Sequence, residues 1–518
     1  MTAEPGHVHE RETVITTIRR SARWVADRPD AVPLLMAGLL LLVGVQVALV
    51  STVPSWANDE PAHVGYVAAL AEGRLPTIET DIVDDPARFP LTAEEFAGRD
   101  EEHGDIWTAN HPPLFHLAMV PVWWALSDVN QSGMVITMRV ANTAGFAVWL
   151  YLVGLLARQL VPGRPAVAAL AAVVAAAPTL VLRSSYAQND GWAAASAALL
   201  LLMTVRVLRD GATSHRVVVA ALAGTVAAGT RAQGVLLVAL CSVVLLVVLV
   251  RRSGWSGAAW RRALAVAAPV GGLPAAAWGW FYVRNYRLYG DFTGQDALLD
   301  KFDRTPVALD RLGAVRTLDQ PVLATSLVLV AALVLVPVAV IGSARRHGVR
   351  FDAVWILLSL HTLLTVVSLV GFMRAGGGFH DRYLMQAMPL LATVTAIGMA
   401  GAGHWWRSAP RGTPAADRRD WWTATAWAVV LLAWLARTLV WLEYRHVFGH
   451  QEFSPVNGPV PDLLATMAAA LGVAVVGVLV RRARSVHRLD DLAHEAARLE
   501  PVDRPGPVAD RELVTRRG

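Results

Sequence analysis

Asp59 and Glu60 stand side by side a few residues beyond the first apolar run, in Ser55-Trp56-Ala57-Asn58-Asp59-Glu60-Pro61-Ala62-His63. Charge near lipid is costly, so ionisable groups at a membrane edge point to a reaction or a transport path. A carboxylate so placed can take a proton from a nucleophile, and a cation beside it can hold a departing phosphate. The chain offers such cations where other apolar runs meet: Arg231 in Gly229-Thr230-Arg231-Ala232-Gln233-Gly234, and Arg374 and Arg382 around a glycine-rich turn. Arg284 and Arg287 follow a further apolar run, and Asn189-Asp190 closes the turn that begins at Arg183. Arginine suits phosphate because its planar fork donates paired hydrogen bonds and stays charged. His63 falls one turn beyond Asp59, where it can face the same site. His111 and His116 are five apart, a poor spacing for two metal ligands on one helical face.

Each of these residues also has a plainer use. Asp59 can cap a helix beginning at Pro61, Glu60 can serve that helix's dipole, and Asp190 can be an N-cap. The arginines can meet ordinary lipid headgroups.

The elements that must position these groups are apolar helices. Of 518 residues 55% are apolar and 17% charged, with a mean hydropathy of +0.43, which marks a polytopic membrane protein. Lys301 is the only lysine among 46 basic residues, and the arginines lie mostly in short loops rather than on one continuous face, which argues against nucleic-acid binding. Cys241, the single cysteine, lies inside an apolar run and excludes an intrachain disulfide. Residues 1–30 are rich in arginine and precede an uncleaved first helix from Ala31 to Val50.

Residues 54–112 carry thirteen acids against three arginines and form an outer loop. Within it, Pro61 to Gly73 predicts a short helix along the membrane surface; the stretch from His111 to Leu126, about fifteen residues long, is taken as a second, since if it spanned instead, every later helix would reverse and the arginine-rich loops would fall outside. The acids between Glu79 and Asp105 read as solvated surface. The remaining spans are expected at 136–157, 166–182, 190–205, 217–230, 233–250, 263–283, 321–343, 353–373, 383–403, 421–441 and 461–480, about twelve with the first. The inner connections then hold sixteen arginines and the short outer turns five, so both termini are cytoplasmic and Asp59, Glu60, Asp190, Arg231, Arg284 and Arg382 all reach the outer face. A cytoplasmic segment (1–30), a catalytic module (31–403, outer loops 54–135 and 284–320), further helices (404–480) and a charged cytoplasmic tail (481–518) complete the expected organisation.

Read together, these motifs resemble a family. Asp59-Glu60 after the first helix, His111-Pro112-Pro113-Leu114 opening a surface helix, Asn189-Asp190 before a later span, Arg284-Asn285-Tyr286 with Tyr289-Gly290-Asp291, and Arg382-Tyr383-Leu384 are similar, in order, to membrane glycosyltransferases of the GT-C class. Protein O-mannosyltransferases and lipid A aminoarabinose transferases are the nearest likeness, over about residues 31–400; residues 421–518 carry no matching motif. The resemblance implies an all-α GT-C-like core with two outer surface helices in the bacterial cytoplasmic membrane. It implies a polyprenyl-phosphate sugar donor drawn from the membrane lipid and a glycan, lipid or protein acceptor. On it, Asp59 is the general base, Glu60 and Asp190 orient acceptor or sugar, and Arg231, Arg382 with Tyr383, and Arg284 hold the lipid phosphate, with His63 and His111 beside them. Attack opposite the leaving phosphate inverts the anomeric centre. The arginines supply the charge stabilisation that a metal gives elsewhere, so no metal or other cofactor is expected. A lipid-linked sugar flippase would need the same arginines but no carboxylate base, and a non-catalytic partner in envelope assembly would turn over no donor.

Overall fold

In the computed structural model the described residues are 27–51, 59–83, 104–126, 131–176, 184–308, 352–377, 381–402, 414–442 and 459–499, with short pieces at 86–87, 90 and 93–94. Among them every regular element is helical, apart from an isolated bridge between Asp81 and Asp105. In chain order the helices are α1 (Ala31–Val50), α2 (Glu60–Ala71), α3 (Leu114–Leu126), α4 (Gln131–Leu160), α5 (Pro165–Ala175), α6 (Asp190–Asp210) and α7 (Ser214–Thr230). There follow α8 (Ala232–Arg252), α9 (Gly257–Tyr289), α10 (Gln295–Lys301), α11 (Ala353–Arg374), α12 (Met388–Ala402), α13 (Pro414–Leu442) and α14 (Pro459–Leu499). Short 3-10 helices lie at Trp107–Asn110 and Asp381–Ala387.

Among the described residues eight stretches are long and apolar enough to cross a membrane: α1, most of α4, α6, α8, α9, α11, Arg382–Ala400 and Val460–Val486. The chain is an integral membrane protein. Val243 on α8, Leu363 on α11 and Val473 on α14 stand more than half exposed, and aliphatic surface of that kind belongs against lipid. The other expected spans fare differently. Residues 217–230 lie in the seventeen-residue α7, and 421–441 lie in α13, whose first turns carry Asp417, Arg418, Arg419 and Asp420. Of 166–182 the described part is 166–176, nearly all of it in the eleven-residue α5, and 321–343 lies outside the described residues. At 1.5 Å per residue, α3 reaches only about 20 Å, short of a hydrocarbon core of about 30 Å, as a surface helix should.

Two helices outrun their expected ends for want of a breaker. The span expected to stop at 283 continues to Tyr289 and ends at Gly290, whose φ of 81° is the left-handed conformation glycine supplies at a helix C-terminus. Arg284 is therefore helical rather than in a loop. Likewise α14 runs through the boundary expected at 480 to Leu499, because no glycine or proline interrupts it between Gly477 and Pro501.

Two contacts set the site end of the bundle. α4 and α6 meet at Gly145 and Gly191, where a Cβ on Gly191 would fall 2.2 Å from the Asn142 carbonyl oxygen, so side-chain-free backbones let the start of α6 seat against α4. α2 is covered on both sides. Ala62, Tyr66 and Ala69 pack on Ile78, Ile82, Ile106 and Trp107, while Val64, Val67 and Ala68 pack with Phe115, Val120 and Trp123 of α3. Over this lies residues 284–302, pinned by Arg284 to the Pro76 carbonyl (2.6 Å), by the Ile78 N–H to Tyr289 Oη (3.2 Å) and by Lys301 to Glu79 and Asp105 (2.7 Å each). The two acids that bound the supposedly solvated stretch thus hold the sole lysine, whose side chain is 8% exposed.

Candidate active site

Asp59 precedes α2 with a φ of 62°, left-handed for a non-glycine residue, and its side chain makes no capping bond to the helix it opens. Such a conformation costs on the order of 1–3 kcal/mol and persists only where the surroundings enforce it. What the turn achieves is direction. One carboxylate oxygen accepts from Arg382 Nη2 at 2.7 Å and the other from Trp107 Nε1 at 3.4 Å, so the helix-cap role is not the one this side chain fills.

Arg382 connects that acid to a second one. Its Nη1 lies 3.7 Å from Asp190 Oδ2, and Arg231 Nη1 lies 2.8 Å from Asp190 Oδ1. Asp190 is the first residue of α6, and Asn189 before it accepts from Arg231 Nε at 3.2 Å while donating to the Thr230 carbonyl at 2.9 Å. The result is a chain, Asp59–Arg382–Asp190–Arg231, assembled from four elements distant in sequence. Asp190 and both arginines have side chains no more than 11% exposed, whereas Asp59 is 32% exposed and is the member open to an incoming molecule. Arg382 also lies over the Tyr383 ring, 5.4 Å from its centroid.

Glu60 is placed apart from this chain, although it adjoins Asp59 in sequence. Its side chain is fully buried; Arg139 Nε and Nη2 each donate to it at 2.7 Å, and the Ala187 N–H adds a third bond at 2.7 Å. Arg139 Nη1 meanwhile donates to the carbonyls of Ala48 and Ser51, at 3.1 Å each. This pair ties the end of α1, α2, α4 and the turn before α6 into one frame, which fixes Asp59 relative to Asp190. The expectation that Glu60 meets acceptor or sugar gives way to an anchoring geometry, because both of its oxygens are already engaged. Arg139 was absent from the sequence-level candidates, although an arginine inside an apolar run was itself a signal.

The histidines form a stack under the cluster. His63 Nδ1 and His116 Nε2 are 2.9 Å apart, and their rings lie 5.2 Å apart at 10°. Tyr66 stacks on His116 at 4.1 Å and donates from Oη to the His111 carbonyl at 2.9 Å, and His111 lies 6.3 Å from His63. Burial pulls His63 down to about 4 against the opposing pull of Asp59 and Asp190, and holds His111 and His116 well below the ordinary imidazole value. Burial raises the Tyr66 hydroxyl. All four are neutral at pH 7. Among the described residues no three His, Cys, Asp or Glu side chains are arranged to hold a metal ion.

The other expected ligands lie nearby or outside. Arg284 donates to the Pro76 carbonyl and to Asn285 Oδ1 (3.3 Å), which places it in the overlying segment. Ser55 to Asn58, Arg183 and Gly378 to His380 lie outside the described residues. Trp107 and His116 complete the surroundings; sequence carried no signal for the first, and the second was legible only as half of a metal spacing.

No family model and no curated protein matches the chain. Among solved structures it is similar to ArnT from Cupriavidus metallidurans bound to undecaprenyl phosphate, at 15% identity over 87% of this chain and 77% of that one, with a TM-score of 0.46. The same protein in the apo state gives 14%, 85%, 75% and 0.44. Archaeal oligosaccharyltransferase AglB from Archaeoglobus fulgidus, in complex with an inhibitory peptide and a dolichol-phosphate, gives 12% identity over 87% of this chain and 55% of that one, with a TM-score of 0.40.

Proposed function

We propose that the protein transfers a monosaccharide from a polyprenyl-phosphate donor to an acceptor hydroxyl, with inversion, at the extracytoplasmic face of the bacterial cytoplasmic membrane. The observation that carries this reading is the Asp59–Arg382–Asp190–Arg231 chain, whose exposed end is a carboxylate and whose body is two buried guanidiniums. The excess of arginine in the expected inner connections supports the extracytoplasmic side.

The cluster balances two negative against two positive charges. When Asp59 takes the acceptor proton its charge is lost, and Arg382 is left with a surplus positive charge at the moment the donor phosphate needs one. The acceptor oxygen bonds to the anomeric carbon as the bond from that carbon to the phosphate oxygen breaks. The electron pair leaves with the lipid phosphate, held by Arg382 and Arg231. Asp190 keeps both arginines in place, Tyr383 lies beside Arg382, and Arg284 serves the phosphate from the overlying segment. His63 and His111 line the same site, and Glu60 with Arg139 positions Asp59. The arginines do the work of a cation, so transfer proceeds without added metal.

Purified protein in lipid, given a panel of polyprenyl-phosphate sugars and a membrane extract as acceptor, tests this. The expected result is a glycosylated product and free polyprenyl phosphate by mass spectrometry. Donor lipids that bind or cross the bilayer without being consumed would instead support a flippase.

A further inference from the structure

His63 and His116 share one hydrogen across 2.9 Å, and the surroundings decide which of them owns it. If His63 Nδ1 carried it, neutral His116 would bear its proton on Nδ1, a buried atom with no hydrogen-bond partner among the described residues. An orphaned buried N–H is the costlier defect, since a ring nitrogen left with a bare lone pair withholds no donor. The hydrogen therefore belongs to His116 Nε2, His63 Nδ1 accepts it, and the proton of neutral His63 must sit on Nε2.

We infer that His116 is a positioning residue that fixes His63 as an uncharged Nε2–H donor toward the anionic oxygen of the substrate bound at the Asp59–Arg382 cluster. The ligand half of this inference rests on the phosphate reading above; the tautomer half does not.

The groups that act on the His63 ring come from every side. Asp59 immediately precedes the helix that carries His63, His116 lies on α3 and His111 just before it, Asp190 on α6, Arg231 at the α7–α8 turn, and Arg382 in the 3-10 helix before α12. The two acids favour an imidazolium and the two arginines oppose it; burial exceeds both and keeps the ring neutral. A neutral donor suits this place, because a third cation would compete with the arginines for Asp59, while an N–H adds a directed bond without changing the charge balance. Burial holds His116 neutral as well, so the hydrogen-bond direction does not invert near pH 7.

The test is nitrogen-15 NMR of full-length protein labelled at histidine in lipid nanodiscs, with His63→Asn used to assign the signals and undecaprenyl phosphate as the probe. The expected spectrum at pH 7.5 shows His63 with a bare Nδ1 and a protonated Nε2. His116→Phe, which keeps a ring but removes the donor, should populate the Nδ1–H form, and His116→Gln, which restores an N–H, should suppress it. Adding undecaprenyl phosphate should move the Nε2 signal, and in turnover His63→Ala should lower kcat by about 100-fold with little change in KM, as loss of one preorganised donor does. An imidazolium or Nδ1–H form of His63 in the unmodified protein would overturn the tautomer assignment. Lipid that binds without moving Nε2 would overturn the ligand role alone. Absence of lipid binding would overturn the ligand role together with the donor reading, with the tautomer still read directly.

Discussion

The two ends of the helical bundle both carry ion pairs, yet of different kinds. At the end where α6 begins, Asp190 is 6% exposed and shares two arginines, Glu60 is sealed against Arg139, and the charges form linked networks. At the end where α6 finishes, about 30 Å away by helix rise, several pairs are wetter, although Asp30, 9% exposed, takes bonds from both Arg28 and Tyr151. Arg209 meets Asp352, which is 40% exposed and caps α11; Arg481 meets Asp27 at 63% exposed; and Arg216 meets Asp210 at 48%. Arg164–Asp420 is covered, with side chains 11% and 8% exposed. Exposed single pairs contribute little, whereas buried charges persist only where partners satisfy them. The contrast supports the proposed site at the Asp59 end.

The contrast is breakable, and its largest expected consequence is structural. Glu60→Ala strands the buried Arg139 and should cost about 3–5 kcal/mol in thermal or denaturant unfolding in detergent. Arg481→Ala at the opposite end should stay within about 1 kcal/mol. Equal losses would erase the distinction. Next, Arg231→Ala or Arg382→Ala should lower turnover by about 100- to 1,000-fold, with Arg382→Lys failing to restore it because one ammonium cannot replace a fork that spans Asp59 and Asp190. Full activity of Arg382→Lys would mean that charge alone suffices.

A pH effect should follow in size. Burial lowers His63 from 6.5 to about 4, so below pH 6.5 the unfolded chain binds a proton that the folded chain does not. This group leaves stability unaffected above about pH 6.5, and stability is lost progressively as pH falls toward 4, by on the order of 3 kcal/mol for this residue. His111 and His116 act in the same direction. Unfolding midpoints between pH 8 and 4 should fall through that window in the unmodified protein and less steeply in His63→Asn; identical slopes would contradict it. Smallest of all, chelation with EDTA should change turnover by less than about twofold, in keeping with charge supplied by arginine.

Much of the helical layout was legible because apolar runs of about twenty residues announce themselves, and Asp59, Asp190, Arg231 and Arg382 were legible because charges at run ends are conspicuous. What was hidden follows from contacts between elements. Asp59 and Glu60 are neighbours in sequence but diverge in space, since a left-handed residue turns one toward Arg382 and the helix carries the other into Arg139. The His63–His116 contact joins residues on two helices, so spacing along either could not show it. Helix ends at Tyr289 and Leu499 were misjudged because hydropathy ended before the backbone met a breaker.

The most direct measurement pairs donor binding with single-turnover transfer for the unmodified protein and Asp59→Asn, using whichever polyprenyl-phosphate sugar the panel identifies. The account predicts binding within about threefold and transfer lowered by at least about 1,000-fold, because the variant keeps both arginines and loses only the proton acceptor. Transfer that survives in Asp59→Asn would contradict the assignment of the base.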